Sequence, residues 1–170
     1  MMNHFENRIE TLHFKRSGMI PNHPSFPVLL YKGPILEHAS RIEELFNRNN
    51  WLNSWRNGIF PYHHYHSNSH EVLGVISGYA EVRIGGEDGQ DIMIQTGDVI
   101  VLPAGTGHKK LSSSADFKVA GAYPEGMNPD QYSESDPLLQ ETIACIQSVP
   151  IPVQDPVTGG IGPLHSHWKK

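Results

Sequence analysis

Apolar and polar positions alternate with a period of two through the middle of the chain. Val82 and Ile84 interleave with Glu81 and Arg83, and Ile92 and Ile94 with Asp91, Met93 and Gln95. Such alternation sets one face of a strand on a core and the other in water. Breaks at Ser77-Gly78, Gly85 to Gly89 and Gly97-Asp98 separate the runs. Strands are predicted at about 61–67, 70–77, 79–84, 91–95, 98–103, 107–112 and 116–122. No helical pattern intervenes, which argues for an all-β sandwich or barrel. Within 70–77 the face carrying Val72, Gly74 and Ile76 is also apolar. A second sheet, a helix or a partner subunit is expected to cover it, since a large apolar face rarely stays in water.

Helical spacing occurs in two places. In ILEHASRIEELFNR, 35–48, the residues Ile35, Leu36, Ala39, Ile42, Leu45 and Phe46 form one stripe, predicting a single amphipathic helix on the outside of the barrel. Pro34 suits its start and Asn49-Asn50 its end. A second helix is predicted over about 137–148, with Asp136 as cap, Pro137 at the first position, and Leu139, Ile143 and Ile146 on one side. Before the first helix, a short strand is expected near 10–14 and another at Val28 to Tyr31. Pro21, Pro24 and Pro27 keep the intervening chain extended, so this arm either wraps the barrel or exchanges across a dimer. Residues 149–163 read as extended, and the tail LHSHWKK, with His165 and His167, as a disordered terminus, with folding over a pocket mouth as the alternative. Trp51 and Trp55 are taken as packing aromatics, with lining of a pocket mouth as the alternative.

Composition narrows the class. The chain has 170 residues, 16 Gly and 13 Pro, enough for one domain with a core and many turns. Net charge is -5 without any Lys/Arg-rich run, so neither nucleic acid nor an anionic membrane is an expected partner. No apolar run reaches the about 20 residues of a membrane span, and the N-terminus MMNHFENRIETLHF lacks an export pattern. Cys145 is the single cysteine, which excludes an internal disulfide framework and suits a reducing compartment. A cytoplasmic protein is the expectation.

Histidine is abundant, at 11 residues, and it clusters. GIFPYHHYHSNSHEVLGVISG, 58–78, holds His63, His64, His66 and Glu71, with His70 beside the last. His64 and His66 lie two apart, so a strand presents both on one face with Tyr65 on the other. Ser67-Asn68-Ser69 reads as a turn, and a strand returning from it would carry Glu71 toward the same point. By the same parity His63 and His70 point away. GDVIVLPAGTGHKKLS, 97–112, offers His108 directly after a strand and a tight Pro/Gly turn. Neutral imidazoles and a carboxylate are ligand types that first-row divalent metals accept. Tyr62, Tyr65, Tyr79 and Tyr123 are candidates for hydrogen bonding near such a site. Lys109, Lys110 and Arg56 are either solvated or aimed at an anionic substrate group.

These two stretches resemble the two motifs of the cupin superfamily. The first, G(X)5HXH(X)3–4E(X)6G, is met by Gly58, His64, His66, Glu71 and Gly78. The second, G(X)5PXG(X)2H(X)3N, is met by Gly97, Pro103, Gly105 and His108, with Ser112 replacing the final Asn. WRNGIFPYHHYHSNSHEVLGV, FKVAGAYP, PNHPSFPVLLYKG and DPVTGGIGPL are further similar to the YjlB-like group of bacterial single-domain cupins. The resemblance implies a jelly-roll β-barrel over 1–170, with arm and helix at 1–57, barrel core at 58–123, and C-terminal helix and tail at 124–170. It also implies a divalent metal (Fe, Mn, Ni, Co or Zn) held by His64, His66, Glu71 and His108. Two octahedral positions would stay open for a small-molecule substrate. The expected function is a metal-dependent enzyme, dioxygenase-like or of isomerase/lyase type. The alternative is a non-catalytic binding protein whose metal is structural or incidental. A homodimer is expected from the doubly apolar strand and the N-terminal arm.

Overall fold

The computed structural model describes residues 9–169; residues 1–8, which include most of the stretch read for an export pattern, and Lys170 lie outside the described residues. The expected strands pair into two antiparallel sheets. The larger runs β1 (Ile9–Leu12), β2 (Val28–Tyr31), β8 (Val99–Leu102), β5 (Glu71–Ser77), β10 (Lys118–Pro124) and β3 (Trp51–Asn57) in that spatial order. The smaller runs β11 (Tyr132–Ser133), β4 (His64–Tyr65), β9 (His108–Ser113), β6 (Tyr79–Ile84) and β7 (Gln90–Gln95). Strand β3 was not foreseen, because WLNSWRN mixes its polar residues without a clean alternation. Its pairing with β10 makes it a strand. The strand expected over 61–67 shrinks to two residues.

Side-chain parity divides the core. Val28, Leu30, Leu73, Val75, Val82, Ile84, Ile94, Ile100 and Val119 fill the space between the sheets. Leu29, Tyr31, Val72, Val99, Val101, Ala120 and Ala122 point from the larger sheet to its outer face. There they meet Ile42 and Phe46 of α1 (Ile42–Arg48), together with Leu164 and Trp168 of the C-terminal tail. The doubly apolar strand is therefore covered by the chain's own helix and tail, and the N-terminal arm pairs with β8 through β2. Neither feature calls for a partner subunit. Burying side chains such as Ile42 and Phe46 contributes about 1.5–3 kcal/mol each.

The helix closes down on Gly74, where an added Cβ would stand 2.2 Å from Ile42 Cδ1 and 2.8 Å from Phe46 Cζ. Gly74→Val is accordingly expected to cost about 1–3 kcal/mol by overpacking. Urea unfolding monitored by circular dichroism would read this as a lowered midpoint at an unchanged slope.

Two expectations about helices and one about the C-terminal tail are corrected. The single helix over 35–48 is broken: Leu36–Arg41 is a 3-10 segment, with His38 at φ -128° and ψ 28°, before α1 begins. The Ile35 N–H donates to the Gly97 carbonyl, so the first turns follow that loop and not the axis of α1. The second helix, α2, spans Gln140–Ser148 and does not start at 137. Asp136 is used elsewhere, its Oδ2 accepting the Ser133 N–H at 2.7 Å. The C-terminal tail is packed. Its short helix α3 (Pro163–His167) precedes Trp168, which stacks on Phe26 at 5.1 Å and donates Nε1–H to the Pro27 carbonyl. Among the described residues no helix is long and apolar enough to cross a membrane.

Candidate functional site

The four residues of the two motifs meet at one end of the space between the sheets. His64 lies on β4 and His66 just beyond it. His108 opens β9, directly opposite His64 in register. Glu71 opens β5, in the facing sheet. The expected hairpin between β4 and β5 is not formed: β4 pairs with β9 and β11, and β5 with β8 and β10. Ser67-Asn68-Ser69 crosses from one sheet to the other. Asp130 anchors that crossing, its carboxylate accepting from the Ser67 N–H and hydroxyl. Gly105 ties the second motif to the first. At φ +88° it adopts a conformation that favours glycine, and its N–H donates to the His66 carbonyl at 2.8 Å.

Glu71 sits between two imidazoles. Its Oε2 is 3.3 Å from His66 Nε2 and its Oε1 is 3.3 Å from His108 Nε2. The His64 ring centroid is 4.1 Å from that of His108 and 5.8 Å from that of His66. All four side chains are buried. The Nδ1 atoms face backbone carbonyls: His64 that of Tyr62 at 3.4 Å, His66 that of Asp130 at 2.5 Å, and His108 that of Thr106 at 3.0 Å. A carbonyl only accepts, so the proton of each neutral ring belongs on Nδ1 and the lone pair on Nε2. His66 Nε2 and Glu71 Oε1 are buried without a hydrogen-bond partner. Such atoms cost about 1–3 kcal/mol each unless something else binds them.

The charges follow from this packing. Burial pushes His64 down to about 3, aided by His108. Burial acts the same way on His66, but the Glu71 carboxylate outweighs it, and His66 ends above its ordinary value. Burial would raise Glu71, yet His66 and His108 hold it well below the usual carboxylate range.

These residues line a cavity of about 390 Å³ together with the apolar Trp55, Ile59, Phe60 and Leu73 and the polar Arg56, Gln131 and Tyr123. The Tyr123 hydroxyl accepts from Trp55 Nε1 at 2.9 Å. Burial and the adjoining Glu71 carboxylate raise its pKa, so the phenol keeps its proton. Trp55 thus lines the cavity while Trp51 is core. Arg56 reaches the rim but is paired with Glu43 at 3.0 Å. Lys109 turns away to Glu87. Of the other tyrosines, Tyr65 is buried in the core, while Tyr62 and Tyr79 are exposed.

The remaining histidines separate as parity predicts. His70 is structural: its Nε2–H donates to the Pro150 carbonyl at 3.0 Å, its Nδ1 accepts the Ala104 N–H at 2.9 Å, and burial drives it down to about 3. His165 closes a local turn through Gly162 and Pro152, and His167 is exposed. His63 faces away from the cavity toward Glu87 and Glu134. The sequence carried no signal for Asp130, which lies in a polar loop remote from both motifs. Tyr123 was one of several equivalent tyrosines until the fold placed it beside Glu71.

A cupin-domain family model, Cupin_2, matches residues 56–115, a span that contains all four convergent residues. The uncharacterized protein YjlB of Bacillus subtilis (strain 168) is 44% identical over 165 residues, covering 97% of this chain and 99% of its own. Among solved structures, procruciferin, an 11S globulin from Brassica napus, is 17% identical with a TM-score of 0.39, over 64% of this chain and 22% of its own. Acireductone dioxygenase from Bacillus anthracis, with a cadmium ion in its active centre, is 23% identical with a TM-score of 0.37, over 59% of this chain and 68% of its own. With near full-length identity to YjlB and the cupin domain over both motifs, this chain belongs to the YjlB-like cupins.

Proposed function

We propose that the protein is a metal-dependent enzyme acting on a small organic substrate, with His64, His66, Glu71 and His108 holding a divalent transition metal. The observation that carries this reading is the set of lone pairs: three rings locked by backbone carbonyls at Nδ1, beside a carboxylate, with His66 Nε2 and Glu71 Oε1 buried and unpartnered. This is the outer hydrogen bonding that orients metal-binding imidazoles and fixes their tautomer. A metal held there supplies Lewis acidity and exchangeable positions, suited to oxygen-dependent or isomerase/lyase-type chemistry.

The chain's own residues supply the rest. Trp55, Phe60, Ile59 and Leu73 give the cavity apolar walls that exclude water from the substrate. Tyr123 offers a protonated hydroxyl in the cavity wall, steadied by Trp55. Arg56 and Gln131 at the rim suit a carboxylate or carbonyl oxygen.

The test is a competition titration of the metal-free protein with Mn(II), Ni(II) or Zn(II), beside Glu71→Gln. Loss of the single anionic ligand is expected to weaken binding by about a hundredfold or more; equal affinity would overturn the reading. The pH dependence has a defined sign. The Glu71 carboxylate raises His66, so protons compete with a metal for its ring more strongly than they would for an ordinary histidine. Affinity should therefore fall as pH drops, the loss setting in above the ordinary histidine value of about 6.5. A bound metabolite recovered unchanged after prolonged incubation with the metal-loaded protein would favour the non-catalytic binding reading instead.

A further inference from the structure

A second convergence of ligand atoms lies on the opposite side of the strand that carries His64. His63 is fully buried, and neither of its ring nitrogens has a hydrogen-bond partner. Its Nδ1 stands 3.4 Å from Glu87 Oε1 and 3.5 Å from Glu134 Oε2. One atom from each of the three residues falls within 4.8 Å of the others.

Three separate segments meet here: the residue before β4, the turn between β6 and β7, and the residue after β11. The placement is built by the backbone. Glu134 N–H donates to the His63 carbonyl at 3.2 Å, and Gly107 packs behind the ring, where a Cβ would lie 3.4 Å from His63 Cδ2.

We propose that His63, Glu87 and Glu134 form a second divalent-cation site, one ligand atom from each, suited to Zn(II) with water completing the shell. The spacing supports it. Ligands at about 2.1 Å from a tetrahedral ion stand about 3.4 Å apart, and the two measured gaps are 3.4 and 3.5 Å. At those lengths the contacts are too long for good hydrogen bonds, so His63 Nδ1 stays aimed at the carboxylates without being satisfied by them. The cluster already draws a cation: Lys109 Nζ lies 2.6 Å from Glu87 Oε1, with Arg83 Nη1 3.1 Å from Oε2 of the same carboxylate. A divalent ion bound here displaces Lys109 from that oxygen and clamps the β11–β4 edge to the β6–β7 turn.

The experiment is zinc titration of the metal-free protein against a chromophoric chelator, with elemental analysis after gel filtration. Parent, Glu87→Gln/Glu134→Gln and Lys109→Met are compared. Glu87 and Glu134 are exposed, so the double variant should fold as the parent does, checked by circular dichroism. It is expected to bind one zinc ion fewer per chain than the parent. Lys109→Met is expected to bind that ion severalfold more tightly, because a competing cation is gone. Equal stoichiometry and affinity in parent and double variant would overturn the site, as would an unchanged affinity in Lys109→Met. The inference does not rest on the cavity site. A His64→Ala/His66→Ala protein should keep this zinc ion, and its loss there with retention in the carboxylate variant would refute the second site while leaving the first intact.

Discussion

In a Glu87→Gln/Glu134→Gln background, adding His64→Ala and His66→Ala is expected to take the metal purified with the protein from about one ion per chain, held at the cavity, to almost none, by elemental analysis of material never exposed to a chelating column. The two residues supply two of the three convergent imidazoles, and Glu71 and His108 alone leave an incomplete shell on two facing sheets. His66 is also the leading electrostatic partner of Glu71. Its removal leaves a buried carboxylate with less compensation, a situation that typically costs about 3–5 kcal/mol when a buried pair is broken. The variant should therefore melt lower than the metal-free parent while keeping its strand signal. Equal metal content with and without the two alanine substitutions in that background would count against the four-residue site. Iron, manganese or nickel in the parent would point to oxygen chemistry, and zinc to a Lewis-acid or structural role.

Asp155→Ala is expected to be the most destabilising single change outside the site, by about 3–5 kcal/mol. Asp155 is fully buried and its carboxylate accepts four hydrogen bonds: from the Tyr31 hydroxyl at 2.6 Å, Val157 N–H at 2.8 Å, Thr158 N–H at 3.0 Å and Leu164 N–H at 3.0 Å. Alanine strands these donors without water. It also frees the tail whose Leu164 and Trp168 complete the outer core over the larger sheet. For a chain of this size each kcal/mol lowers the melting temperature by about 2–4 °C, so a drop of about 10 °C is anticipated by calorimetry. Asp155→Asn keeps an acceptor and should lose less. Because Asp155 lies on the outer face of the sheet, metal stoichiometry per folded chain should be unchanged. A melting temperature within a degree or two of the parent would show that the tail is held by packing alone.

Much of this was legible in the chain. The period-two runs became β6 and β7 with Val82, Ile84 and Ile94 inward and Glu81, Arg83 and Met93 outward, since burial acts on each residue where it stands. The parity of adjacent residues separated His64 and His66 from His63 and His70, and the motif spacing selected Glu71 and His108. Other features depended on contacts between distant segments. Glu71 reaches the site from the facing sheet and not from a hairpin, because strand partners are chosen by long-range pairing that local pattern does not encode. The break at His38 and the late start of α2 follow from loops that claimed the expected caps. The tail folds because Asp155 and Trp168 find partners more than a hundred residues away. Sequence alone thus determined the fold class and the residue types able to bind a metal, which are local properties of spacing and polarity. Only the tertiary structure decided which atoms face one another, giving Tyr123 its place beside Glu71 and His63 its two carboxylates.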